Sequence, residues 1–150
     1  MGNEDAARGT GIGFFMPMEP PEATAQMRKA SARGGRVRFY DPPEVAEAKR
    51  KLEAALAPHR PPEPLPGPLA LSVSWLFRPR GRHRHGEPRA TRPDTDNLQK
   101  ALKDCMTRLG FWHDDAQVAE EHVRKLWCDV PGIRVDVEPI ESAPGTRETP

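Results

Sequence analysis

The chain has 150 residues, a formal net charge of +1 and 18 prolines, roughly twice the number that an average proline content of about 5% would give. This length suits one domain with a single modest core, and the near-neutral charge gives no global sign of a polyanionic partner. No segment approaches the roughly 20 apolar residues that cross a bilayer, and the chain does not open on a signal-peptide pattern. We therefore expect a soluble, cytoplasmic protein with no membrane partner.

Composition divides the chain into one domain and two short flanks. Residues 1–9 are small and polar and are expected to be disordered, residues 10–140 form the predicted domain, and residues 141–150 are a predicted flexible tail. Proline occupies five of the nine positions of residues 60–68, which predicts a stiff connector. Two cysteines, Cys105 and Cys128, do not make a disulfide framework.

The first forty residues predict two short extended segments separated by a basic loop. Residues 11–18 contain the apolar run Ile12-Gly13-Phe14-Phe15-Met16, and the prolines that follow would end this strand or confine it to a sheet edge. Arginine, lysine and glycine in residues 22–35 suit a mobile loop, and residues 37–40 are again extended.

A first helix is predicted from Asp41 to about His59. Asp41 suits the N-cap, Pro42 the first helical position and Glu44 the third. One face carries the apolar residues Val45, Ala48, Leu52, Ala55 and Leu56. We expect this face to be buried.

A strand and an arginine-rich stretch follow the connector. Large apolar side chains alternate with Ser72 and Ser74 in residues 69–77, which predicts a strand. Residues 78–92, which we call the basic segment, hold six arginines and two histidines against one glutamate. A solubilising loop would look the same, but arginines just before a set of carboxylates could also hold DNA phosphates, with little reading of base sequence.

The second helix is the most strongly patterned part of the chain. Its apolar residues recur at intervals of three and four: Leu98, Ala101, Leu102, Cys105, Met106 and Leu109. That stripe predicts an amphipathic helix with one buried face. Asp96 suits its N-cap, Gln99 the capping-box partner, and Gly110 the residue that ends it.

Two more strands are predicted after this helix. Residues 117–128 look extended, Pro131-Gly132 suits a turn, and residues 133–138 alternate apolar with charged side chains. We predict that these strands form a hairpin. The order β, α, β, α, β, β predicts an α+β domain in which a small mixed sheet packs against two helices.

Four aspartates flank the second helix. Asp94 and Asp96 stand at its start, Asp114 and Asp115 follow its end, and Lys100 lies one turn beyond Asp96 on the polar side. If the chain after Asp115 runs back along the helix, three carboxylates and this lysine converge. Such oxygen ligands suit Mg²⁺ or Mn²⁺ beside a phosphate. An aspartate at a helix start is usually a cap, but capping does not explain clustered carboxylates, which repel one another without a cation.

Other site motifs do not fit the sequence. Leu98 and Gln99 break the spacing of an EF-hand, and no glycine-rich loop precedes a Lys-Ser/Thr pair. No Cys/His spacing suits zinc, and no serine lies in a nucleophile-elbow pattern.

The residues around the second helix resemble a known family, the RusA family of Holliday-junction resolvases. The family pattern is Asp-x-Asp-Asn-Leu-x-Lys, a helix, a short turn, Asp-Asp-x-Gln and a later lysine. The matching residues here are Asp94-Thr95-Asp96-Asn97-Leu98-Gln99-Lys100, then Asp114-Asp115-Ala116-Gln117, and then Lys125. The resemblance covers about residues 92–138.

The resemblance implies a RusA-like homodimer that is an Mg²⁺-dependent endodeoxyribonuclease and resolves four-way DNA junctions by paired symmetric nicks, in recombination and repair. By position, Asp94, Asp96 and Asp115 would bind the metal and Lys100 would be the essential lysine, with Asp114 and Asn97 as accessory residues. The expected DNA contacts are Arg78, Arg80, Arg82, Arg84, Arg92 and Lys125. Many members of the family are encoded by phages or prophages, so we expect the cytoplasm of a bacterium or of a phage-infected host.

Two other functions remain open at this point. The chain could be a non-catalytic DNA-binding module of the same fold, although a binder gains nothing from acids that face phosphate. It could also be a metal-dependent nuclease that acts on flaps or other branched DNA.

Overall fold

The computed structural model describes residues 11–23, 29–33 and 36–141, with backbone alone for residues 29–33 and 36–40. The predicted disordered residues 1–9 and nearly all of the predicted tail, residues 142–150, lie outside the described residues. Neither helix within the described residues has the length and apolar character that crossing a membrane requires.

Six strands and two helices make up the described chain, together with two short 3₁₀ turns. In chain order they are β1 (Ile12–Met16), β2 (Lys29–Arg33), β3 (Arg36–Tyr40), α1 (Pro43–Leu56), a turn (Ala57–His59), β4 (Leu69–Phe77), α2 (Thr95–Leu109), a second turn (Asp115–Gln117), β5 (Val118–Trp127) and β6 (Gly132–Pro139). The predicted basic loop of residues 22–35 is thus partly wrong, because β2 and β3 pair as an antiparallel ribbon.

The main sheet has four strands in the order β1-β6-β4-β5. β4 and β5 are parallel, whereas β6 is antiparallel to both β4 and β1. This mixed sheet with two helices confirms the predicted α+β class. α2 is the crossover between the parallel strands β4 and β5, the usual device for joining such a pair.

The predicted hairpin of the last two strands is wrong. β5 and β6 both pair with β4, one on each side of it, and not with each other. The connection of residues 128–131 crosses the end of β4, where the Cys128 N–H donates to the Phe77 carbonyl at 2.7 Å. A turn signal in the sequence predicts a change of chain direction, but it does not predict which strand the next strand will pair with.

The core lies where β4 meets both helices. Leu71, Val73 and Trp75 of β4, Leu52 and Leu56 of α1, and Leu98, Leu102 and Met106 of α2 belong to one buried cluster. Alternation along β4 explains this arrangement, because every second side chain points to the same face of the sheet. Cys105 is buried in the same cluster as a free thiol, as its place on the apolar stripe predicts.

Both helices begin one or two residues away from the predicted positions. Pro42, not Asp41, precedes α1, and Asp41 pairs instead with Lys49 at 2.7 Å. Asp94, not Asp96, is the N-cap of α2, and no side chain caps that end. Gly110 ends α2 in the left-handed conformation at φ 85°, as predicted.

Candidate active site

One face of α2 and the adjacent part of β5 form an open cleft of about 570 Å³. Eight of its nine lining residues are charged or polar, namely Thr95, Asp96, Gln99, Lys100, Lys103, Asp104, Asp115 and Glu121, and the ninth is Val123. The apolar stripe of α2 is committed to the core, so its polar side is left to line this α2–β5 cleft. An open, charged cleft suits a large polar ligand better than a small apolar one.

Three of the predicted catalytic side chains share the cleft. Asp96 lies in the first turn of α2, Lys100 lies one turn later, and Asp115 comes from the short turn before β5. All three are exposed, and none has a hydrogen bond or ion pair to the described residues. β5, which follows Asp115, runs back along α2, and all three groups in the cleft between these elements are open to a ligand. The predicted convergence of three carboxylates with Lys100 stays a prediction.

The other predicted residues lie around this group. Asp94 is exposed directly before α2 but is not part of the cleft lining. The Asp114 carboxylate accepts a hydrogen bond from the Ala116 N–H at 2.8 Å, so it caps the turn that carries Asp115. Asn97 is half-buried, and its Nδ2 has no hydrogen-bond partner among the described residues.

The donor set of the cleft fits a hard divalent cation in its chemistry. Asp96, Asp104, Asp115 and Glu121 bring carboxylate oxygens to one open space that has room for water and a phosphate. Within the described residues, however, no three His, Cys, Asp or Glu side chains are grouped closely enough to hold an ion as they stand. The metal-binding set Asp94, Asp96 and Asp115 therefore stays a prediction.

Gln117 fixes the turn that carries Asp115. Its Nε2 donates to the carbonyl oxygens of Leu65 at 2.9 Å and Gly67 at 3.0 Å, both in the connector. Its Oε1 accepts from the backbone N–H groups of His113 and Asp114 at 2.9 and 3.1 Å. One side chain thus joins both sides of the turn to a remote segment.

A series of hydrogen bonds connects the core to Glu121, a residue that the sequence analysis did not identify. The Trp75 Nε1–H donates to Gln99 Oε1 at 2.7 Å, and Gln99 Nε2 donates to Glu121 Oε2 at 3.2 Å. Lys103 forms an ion pair with Glu121 at 3.0 Å and ends this series of contacts. Gln99, predicted as a capping partner, is instead buried and only 4% exposed. The alternation of β5 was too weak in the sequence to place Glu121 on the cleft side.

Lys125 holds the segment that leads into α2. Its ammonium donates to the carbonyl oxygens of Thr91 and Pro93, both at 2.7 Å. Burial lowers the pKa of Lys125, and the nearby Arg89 charge lowers it further against the opposing effect of Asp94. Lys125 therefore positions the backbone next to Asp94, and its expected contact with DNA stays a prediction.

Comparison with known proteins identifies the family of this chain. The family model described as Endodeoxyribonuclease RusA matches residues 17–138, which is most of the chain. The chain belongs to the RusA family.

Relatives of this RusA-family chain include proteins of a phage and of bacteria. It is 27% identical over 129 residues to the crossover junction endodeoxyribonuclease rusA of Lactococcus phage r1t, and the match covers 85% of this chain and 97% of that protein. It is also 27% identical over 134 residues to the uncharacterized protein YqaN of Bacillus subtilis, covering 81% and 93% of the two chains. A shorter match of 39 residues, 54% identical, joins it to RusA of Escherichia coli and covers 26% and 32%.

The basic segment of this RusA-family chain lies alongside the last residues of β5. Backbone hydrogen bonds join Gly86 and Glu87 to Trp127, and Arg89 to Lys125. Arg89, which the sequence did not single out, is buried with its guanidinium 4.2 Å from the Phe77 ring centre and 4.6 Å from that of Trp127. The five arginines that were expected to contact DNA are all exposed: Arg78, Arg80, Arg82, Arg84 and Arg92.

Proposed function

We propose that this chain is an Mg²⁺-dependent endodeoxyribonuclease, able to use Mn²⁺ as well, that resolves four-way DNA junctions by paired symmetric nicks. The observation that carries the proposal is that Asp96, Lys100 and Asp115 line one open cleft, although Asp115 comes from a different element than the other two. Support comes from the near full-length similarity to the phage r1t protein, which is named a crossover junction endodeoxyribonuclease.

The reaction is hydrolysis of a phosphodiester. A water oxygen bonds to phosphorus and gives up a proton, the bond from phosphorus to the 3′ oxygen breaks, and the leaving oxygen takes up a proton. When bound, a divalent cation supplies the Lewis acidity that activates water and offsets charge on the scissile phosphate. In our proposal Asp96 and Asp115 hold that cation, with Asp94 as the third carboxylate.

Lys100 has a separate role in this proposal. Lys100 lies one helical turn from Asp96 and lines the same cleft as both proposed ligands. A fixed positive charge there would stabilise the negative charge that builds on the phosphate oxygens as the bond breaks. Gln117 and Lys125 keep the flanking segments in place, so that the carboxylates and the lysine are organised before DNA arrives.

Pairing of the two nicks requires two sites. Each chain has one α2–β5 cleft, and a junction must be cut on two strands. We therefore propose a homodimer with twofold symmetry, which presents two equivalent clefts to the junction. The proposed place of action is the cytoplasm of a bacterium or of a phage-infected host, in DNA recombination and repair.

One assay separates this function from its alternatives. A labelled synthetic four-way junction, a flap and a linear duplex are each incubated with the protein, with and without Mg²⁺. We expect symmetric cuts in the junction alone, and only with the cation. Cutting of the flap at an equal rate would favour a nuclease for other branched DNA. Tight junction binding without any cutting would favour a non-catalytic binding module.

A further inference from the structure

Two glutamates from the segment after β1 are paired with the basic segment. Glu19 Oε1 lies 2.9 Å from Arg78 Nε. Glu22 accepts hydrogen bonds from both terminal nitrogens of Arg80, and its Oε1 lies 2.9 Å from Nη2 of Arg89. Two of the arginines expected to contact DNA thus already hold a carboxylate.

The charge state of Glu22 fits this pairing. Burial alone would raise its pKa, but hydrogen bonds from Arg89 and Arg80 outweigh burial and hold the pKa below its ordinary value. Glu22 is therefore ionised at neutral pH, and it gives the guanidinium of Arg80 two anionic oxygens, as a phosphate would.

We propose that Glu19 and Glu22 compete with DNA phosphates for Arg78 and Arg80, so that the backbone of DNA must displace them when it binds. This inference rests on the DNA contact that forms part of the proposed function. In the Glu19–Arg78 and Glu22–Arg80 pairs every side chain is at least 48% exposed, and pairs this exposed are weak. DNA can therefore displace them, but at a cost that lowers its affinity for the basic segment.

Displacement also changes the response to salt. Binding of arginine to phosphate releases condensed cations, and the logarithm of the affinity falls with the logarithm of salt by about 0.9 per contact. A displaced glutamate takes up a cation from solution and cancels part of that release. Wild-type protein should therefore show a shallower salt dependence than a variant in which these glutamates are neutral.

The test uses Glu19→Gln/Glu22→Gln and measures binding by fluorescence anisotropy in chelator, where no cleavage occurs. The probes are a labelled linear duplex and a labelled four-way junction over a range of salt concentrations. We expect about 3- to 10-fold tighter binding of the duplex and a salt slope steeper by one to about two. The single variant Glu19→Gln, which leaves the partner of buried Arg89 in place, should give part of both effects.

The matched control is Glu44→Gln/Glu47→Gln. These exposed glutamates of α1 line the same surface depression as Glu19 and Glu22 but form no bond with the basic segment. The control removes the same charge from the same region, so an equal gain in both variants would overturn direct competition in favour of a general field effect. Unchanged or weaker binding by the test variants would also overturn it, the latter by showing that the glutamates organise the arginines for DNA.

The two proposals can fail separately. If wild-type protein cuts the junction but the glutamine variants bind like wild type, the competition is wrong and the nuclease function stands. If the variants gain affinity and slope but no form of the protein cuts the junction, the function is wrong and the competition stands.

Discussion

At the scale of residues, the proposal depends on carboxylates that look alike in the sequence but differ in what they contact. Asp115 lines the cleft with no partner among the described residues, whereas its neighbour Asp114 caps a turn. We predict that Asp115→Asn lowers junction cleavage by at least about 100-fold, while junction affinity in chelator stays within about twofold. Asp114→Asn keeps an oxygen for the Ala116 N–H and makes the same charge change, so it should retain most activity. Gel-based cleavage rates test both, and full activity of Asp115→Asn would remove that residue from the site.

At the scale of elements, α2 is held to the sheet by a polar bond inside an apolar core. Gln99 accepts from the Trp75 indole and passes the connection to Glu121. We predict that Gln99→Leu lowers the free energy of unfolding by about 1–3 kcal/mol, because a buried donor loses its acceptor. Urea unfolding measures this cost. In the double variant Trp75→Phe/Gln99→Leu the indole donor is gone as well. The loss of unfolding free energy in the double variant should therefore be smaller than the sum of the losses in the two single variants, Trp75→Phe and Gln99→Leu. Strict additivity would show that the bond adds no stability.

At the scale of the whole molecule, paired nicking requires two clefts in one complex. We predict that the protein in solution has the mass of two chains by light scattering. We also predict that it converts a supercoiled plasmid bearing a cruciform mainly to linear DNA, since both cuts then occur within the lifetime of one complex. A stable monomer that releases nicked circles would contradict the homodimer and leave single-strand nicking as the activity.

Local pattern predicted α2 well, because the helix period and the terminal glycine are close together in sequence. Of the predicted site residues, Asp96, Lys100 and Asp115 line the cleft, whereas Asp94 does not. Fold class followed from the order of elements. The predictions that failed depend on contacts between residues that are far apart in sequence. The hairpin was wrong because β4 offers both of its edges, and a turn signal does not choose between them. Glu121 and Arg89 were missed because their roles depend on Gln99, Trp75 and Phe77, which lie far from them in sequence.

The two hydrogen bonds from Gln117 give the proline-rich connector a role in the site. The acceptors are the main-chain oxygens of Leu65 and Gly67, so side chains in the connector can be substituted as long as its backbone conformation is kept. Prolines restrict the backbone conformations of the connector already in the unfolded chain. The connector has no catalytic group itself, but through Gln117, about fifty residues away, it helps to position Asp115.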